Sequence, residues 1–240
     1  MTSNPSSFRG PFIVVTTLFF MWGFITVMVD AFVPRLKDVF ELNLLQAGLV
    51  QFAWFAAYGI LSIPGGNLID RIGYKKGILV GLGLAALGCL LFYPAAETRI
   101  YVLFLLALFV VAGGITILQV AANPYISVLG APETASSRLN LAQAFNSLGT
   151  TIAPIVAASF LLGDQILTAD EQAALSSVDL ETYRLSEAAA VQGPFVFLAL
   201  GFLVLAVLIG LNKLPRILGG KRLGGMALAW SNATLRMGAV

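Results

Sequence analysis

The chain has no histidine, a single cysteine (Cys89), and charge on only 11% of its 240 residues. Each scarcity removes a class of protein. One thiol and no imidazole exclude an internal disulfide, a Cys/His zinc site and a Cys–His nucleophile pair. A soluble domain is about one-quarter charged and about half apolar. Here hydrophobic residues reach 58% and mean hydropathy is +0.90, so the chain is an integral membrane protein. Net charge is only +2, with basic residues scattered among short connectors, which argues against nucleic acid as a partner. No cleavable leader is expected, because the first apolar run is too long for a signal sequence and has no small-residue cleavage site.

What the sequence has in abundance is long apolar runs. A bilayer crossing takes about 20 apolar residues. Six stretches qualify: 11–34, 45–68, 77–95, 101–127, 140–163 and 193–213. The expected fold is all-α, a six-transmembrane-helix bundle over 11–217. A short segment, 1–10, precedes it, and a Gly-rich tail, 218–240, follows that is too interrupted to span. The one long connector, 164–192, carries Asp164, Asp170, Glu171, Asp179, Glu181 and Glu187 and reads as a partly ordered external loop. With the N-terminus cytoplasmic, the inner side holds Arg9, Arg71, Lys75, Lys76, Arg138, Lys213, Arg216, Lys221, Arg222 and Arg236. The outer side holds Arg35, Lys37, Arg99 and Arg184. That asymmetry places both termini in the cytoplasm and the chain in the cell's inner membrane.

The spans differ in kind. The third and sixth are almost wholly apolar and are expected to face lipid. The first carries Thr26 and Asp30 on one helical face, and the second carries Gln51, Phe55, Tyr58 and Ser62. The fourth has Thr116, Gln119 and Asn123, and the fifth has Asn140, Gln143, Asn146, Ser147 and Thr150. Away from water, such groups must face one another or a hydrated cavity. Amides are common interhelical links in membrane bundles. So many donors on four helices point instead to a hydrophilic cavity lined by the first, second, fourth and fifth spans. Pro124 and Pro154 fall within or near spans, where each removes a backbone donor and sets a kink. Asp30 is the only carboxylate deep in a span, and an intramembrane hydrolase would need a second acid, a histidine or a metal cluster beside it. The chain is read as a non-enzyme.

Residues 66–76, GNLIDRIGYKK, form a connector whose glycines, Gly66 and Gly73, permit a tight turn. The spacing G-x-x-x-D-R-x-G-x-K-K resembles the signature loop between the second and third helices of the major facilitator superfamily. That resemblance implies a role in the conformational switch for Gly66, Asp70, Arg71, Gly73 and Lys75. Four further phrases, FFMWGF with Asp30, PAAE at 94–97, AANPY at 121–125 and RLNLAQAFNSLG at 138–149, resemble the fucose and glucose/galactose symporter branch. The resemblance covers roughly 11–217, the N-terminal half of a twelve-helix transporter. It implies cation-coupled hexose symport by alternating access, with Asp30 as the coupling residue and Gln119 at the sugar. Fucose-type members carry Glu where this chain has Gln119, and Asn near Thr26, Val27 and Val29; both departures point to the glucose/galactose type. Gln119, Asn123, Gln143 and Asn146 are the expected sugar ligands. The implied partners are a small sugar, the lipid bilayer and a coupling cation, proton or sodium, with no resident cofactor or metal. An alternative is a truncated or frame-shifted fragment without independent activity, or a half-transporter that needs a second copy or a separate second half.

Overall fold

The structure, a computed structural model, describes residues 9–39, 42–161, 167 and 169–212. The expected tail, 218–240, lies outside the described residues. The order is α1 (Arg9–Val39), α2 (Leu44–Ile72), α3 (Tyr74–Thr98), α4 (Tyr101–Val128), a 3-10 turn (Pro132–Thr134), α5 (Ala135–Leu161), α6 (Ala169–Ala174) and α7 (Ser177–Leu211). No strand occurs among the described residues. Four of the six expected spans, 11–34, 45–68, 77–95 and 101–127, fall within α1 to α4; the other two, 140–163 and 193–213, match α5 and α7 up to Leu161 and Leu211, and residues 162–163 and 213 lie outside the described residues. Of the helices α1 to α5 and α7, five are long and apolar enough to cross a membrane. Among the described residues the exception is α5, where Asn140, Gln143, Asn146, Ser147, Thr150 and Thr151 dilute the apolar residues.

Two connectors differ from expectation. Much of 164–192 is helical, because α7 begins at Ser177 and runs for 35 residues, about 52 Å at 1.5 Å per residue. Its start is set by Ser176, whose hydroxyl accepts from Asp179 N at 3.2 Å, with the Asp179 carboxylate in the positive first turn. An ion pair between Arg99 and Glu181 ties this extension to the corner between α3 and α4. The second difference lies at 66–76. Gly66 sits inside α2, and the turn is made by Gly73 alone. Gly73 has φ 81°, a backbone region open to glycine, and serves both as C-cap of α2 and N-cap of α3. Its N–H donates to Ile69 O at 2.7 Å and its carbonyl accepts from Gly77 N at 3.0 Å.

Apolar burial does not drive helices together in lipid, so close van der Waals contact must do it. The sequence provides small residues where backbones meet. A Cβ on Gly114 of α4 would lie 2.3 Å from Ala85 N of α3, and one on Gly149 of α5 would lie 2.2 Å from Phe20 O of α1. The principal pairings are α3 with α4, α1 with α5, α3 with α7, and α2 with α4. Exchanging α1 with α4, α2 with α5, and α3 with α7 maps α1–α5 onto α4–α2. This is the pattern of two three-helix repeats inside one six-helix unit. Phe92 of α3 stacks on Phe195 of α7 at 3.8 Å and meets Phe104 of α4 edge-on at 5.7 Å, closing the core between those helices. The expectation that α3 faces only lipid therefore covers half of it. Val80, Leu87 and Leu90 are exposed, whereas Gly81, Ala85 and Cys89 are buried.

Candidate functional site

The polar side chains of α1, α2, α4 and α5 divide into three groups by what they touch. The first group joins helices. Asn146 Nδ2 donates to Phe19 O at 2.9 Å, from α5 to α1, at the level where Gly23 leaves room for the Asn146 side chain. One donor of this amide is thus committed to the α1–α5 seam. The second group opens outward: Asp30, Gln51, Asn140, Gln143 and Ser147 are exposed on the six-helix body. Amides that serve only as links between helices would be enclosed by them, so exposure here favours a hydrated wall.

The third group lies between these extremes. Gln119 of α4 is half-buried and its Nε2 donates to Tyr58 Oη of α2 at 2.9 Å. Asn123, one turn on, has a buried Oδ1 with no hydrogen-bond partner among the described residues, as do the hydroxyls of Thr16 and Thr26. A buried polar atom without a partner costs free energy, about 1–3 kcal/mol for a neutral group. Thr116, by contrast, donates to Ala112 O at 2.7 Å within its own helix and is spent. α4 stays helical through Pro124, as α5 does through Pro154.

Counting from the helix ends shared by α1, α2 and α4, Asp30 lies about 14 Å in, Tyr58 about 21 Å and Gln119 about 27 Å. Asp30 and Gln119 are therefore far apart in depth, as their sequence positions imply, and Tyr58 sits between them. Tyr58 was visible in the sequence as one polar position of the α2 stripe. Its hydrogen bond to Gln119 was not, because the α2–α4 register is a tertiary fact.

The switch-loop residues split similarly. Asp70 and Arg71 are exposed on the last turn of α2. Lys75 reaches across to the end of α7 and donates from Nζ to Gly210 O and Asn212 O, both at 2.8 Å. A cation there meets the negative end of the helix and its unpaired carbonyls. Arg138, counted in the sequence only as an inner-side charge, performs the same service for α4. Its guanidinium donates to Ile126 O (3.2 Å), Ser127 O (2.6 Å), Ala131 O (2.9 Å) and Thr134 Oγ1 (2.6 Å). Among the described residues no group of His, Cys, Asp and Glu could hold a metal.

Comparison with known proteins fits this geometry. The family model of the Major Facilitator Superfamily matches residues 12–216. The chain is 49% identical over 245 residues to the glucose/galactose transporter of Brucella abortus, an alignment that covers all of this chain and 55% of that protein. It is 40% identical over 208 residues to the L-fucose-proton symporter of Escherichia coli, covering 86% of this chain and 48% of the relative. A crystal structure of the Escherichia coli fucose:proton symporter FucP superposes with a TM-score of 0.83 at 36% identity, and one of the Major Facilitator Superfamily transporter FucP with a TM-score of 0.82 at 40% identity. They cover 94% and 88% of this chain and 55% and 51% of those chains; the second was solved in the outward conformation. The chain spans about half the length of the curated relatives it matches. Helix order, internal pairing, the Gly66–Lys75 motif and these matches agree: the chain is a multi-pass membrane protein of the Major Facilitator Superfamily, with the six-helix fold of one half of a twelve-helix transporter.

Proposed function

We propose that this chain supplies the N-terminal half of a cation-coupled hexose symporter of the glucose/galactose type, working by alternating access. The observation that carries the reading is the set of amides on α4 and α5 that do not close onto other helices. Gln143 is exposed, Gln119 keeps its carbonyl free of its bond to Tyr58, and Asn123 holds an unpaired Oδ1. Sugars present hydroxyls that both donate and accept, and an amide does both from one side chain. Asn146 joins this set through its remaining amide groups while its Nδ2 fixes α5 against α1. Asp30, exposed on the same body, is the coupling group for a proton or sodium ion. The Gly66–Lys75 turn serves the switch, with Lys75 anchoring the end of α7. Both termini face the cytoplasm and the Arg99–Glu181 corner faces outward.

Of the five apolar spans α2 is the most exposed, with 17% of its apolar stretch buried against 61% for α4. This supports a second six-helix body, covalent, separate or a second copy, packed against α2 and α5. An inactive fragment remains the competing reading. The test is D-galactose binding to membranes bearing the chain, alone and with a C-terminal half supplied. Gln119→Ala should weaken binding at unchanged membrane insertion. Binding equal to the parent's would make the amides links between helices only. In the two-half protein, Asp30→Asn should abolish cation-driven accumulation while exchange persists; undiminished accumulation would remove Asp30 from coupling.

A further inference from the structure

We propose that Asn146 and Gln119 turn their carbonyl oxygens to the cavity, so that this half of the site reads a sugar hydroxyl as a hydrogen-bond donor. Gly23 and Tyr58 are the positioning residues that set this polarity. The choice of ligand rests on the reading of Asn146 and Gln119 as sugar ligands.

Each amide has its nitrogen spent on the protein. Asn146 Nδ2 donates to Phe19 O of α1 at 2.9 Å. A backbone carbonyl only accepts, so this amide cannot turn over: its own oxygen in that place would face another oxygen. Gly23, one turn beyond Phe19, makes the seat. A Cβ there would lie 2.7 Å from Asn146 Nδ2 and 3.0 Å from its Cγ, and would overlap its backbone O. Any larger residue at 23 would push the amide out of the seam. Gln119 is held from another helix. Its Nε2 donates to Tyr58 Oη at 2.9 Å, and the Tyr58 ring rests beside Trp54 of α2 at a centroid distance of 6.4 Å. A hydroxyl could bond either end of an amide, and here it takes the nitrogen.

The oxygens stay outside both bonds. Asn146 and Gln119 are each partly exposed, and Gln143 and Ser147, which flank Asn146 on α5, are exposed. No cation on these helices competes for the carbonyls. α4 carries no charged residue, and Arg138, the one charged residue of α5, is committed to carbonyls at the end of α4. Each nitrogen keeps a second hydrogen but cannot leave its partner, so only the carbonyl is wholly unspent. A sugar hydroxyl that gives its proton to Oδ1 or Oε1 keeps its own lone pairs for the opposite wall. A substituent that only accepts, such as fluorine, leaves the carbonyl unpaired.

The first test needs no sugar. The 240-residue chain in detergent, labelled with 15N only in its Asn and Gln side-chain amides, shows each NH2 as a proton pair by NMR. Asn146→Ala and Gln119→Ala identify two pairs by their loss. Tyr58→Phe should move the Gln119 pair toward that of a water-exposed amide and leave the Asn146 pair in place. Gly23→Ala should do the reverse. A Gln119 pair indifferent to Tyr58→Phe, or an Asn146 pair indifferent to Gly23→Ala, overturns the proposal. Should Gly23→Ala open the buried Cys89 to a thiol dye, hydrogen exchange in the parent decides in its place. One Asn146 NH2 proton should then exchange at least about fivefold more slowly than those of the exposed Asn140, and equal rates overturn the seat. The second test compares D-galactose with its monodeoxy and monodeoxyfluoro forms on the two-half protein. A hydroxyl bonded to one of these amides is one whose removal costs at least about fivefold in the parent and nothing in Asn146→Ala or Gln119→Ala. Fluorine at that position should cost as much as hydrogen, and a fluoro sugar that binds there like galactose overturns the proposal. Absence of galactose binding, or of any hydroxyl coupled to either amide, counts against the transport reading, and the NMR result still decides how the amides are held.

Discussion

Gly149→Ala perturbs the tightest of the described glycine contacts. A Cβ at 149 would lie 2.2 Å from Phe20 O and 2.9 Å from Phe24 N, where ordinary contact begins at 3.4 Å. Both atoms belong to the backbone of α1, so neither can rotate away. The two helices must part by about 1 Å. Overpacking of this kind costs about 2 kcal/mol. The same movement stretches the 2.9 Å bond from Asn146 Nδ2 to Phe19 O, a loss of about 1 kcal/mol. Alanine recovers about 1 kcal/mol through its better helix propensity. The net destabilisation is about 2 kcal/mol, roughly 4–8 °C in Tm for a chain of this size. The chain contains its own reporter, since Cys89 is the only cysteine and is buried, so a fluorogenic thiol dye reads unfolding directly. Gly83→Ala is the control: no atom lies within 4 Å of its Cβ, so only the propensity gain remains and its Tm should equal or exceed the parent's. A Gly149→Ala chain that melts as high as Gly83→Ala would refute the account of the α1–α5 seam.

Other substitutions probe the helix ends and the topology. Arg138→Ala removes charge-assisted bonds to two carbonyls at the end of α4 and to Ala131 O and Thr134 Oγ1 in the connector beyond it, and should lower stability by about 2–3 kcal/mol in the same Cys89 melt; a loss under about 0.5 kcal/mol would contradict that role. Lys75→Met should speed amide exchange over the last turn of α7, near Gly210 and Asn212, while leaving the α1–α5 seam protected; uniform exchange across both would reject a local tether. Gly73→Ala must hold φ near 81°, which costs about 1–3 kcal/mol and should lower Tm, whereas Gly66→Ala, inside α2, should be tolerated; the reverse ranking would move the turn. A cysteine in place of the exposed Asp179 should react with an impermeant thiol reagent in intact cells, and reaction only after the inner face is opened would invert the topology.

Much of the architecture is legible in one dimension, for a physical reason. Lipid offers no hydrogen bonds, so a spanning segment must be a helix that satisfies its own backbone, and a run of apolar residues of the right length announces it. That logic located the six long helices and the four that carry amides. It failed where the chain leaves hydrocarbon: 177–192 became the start of α7 because of the Ser176 cap, and Gly66 was absorbed into α2 because Gly73 alone can make the turn. The partners of the polar groups lay beyond it entirely. Nothing local in the sequence says that Asn146 bonds Phe19 O, that Gln119 bonds Tyr58, or that Lys75 and Arg138 close the ends of α7 and α4. Composition and spacing determine which side chains a lipid environment forces to find partners, since burial without one is costly. Which partner each finds depends on helix rotation and register, set by backbone approaches such as Gly149 to Phe20 and Gly114 to Ala85, and only the packed bundle fixes those.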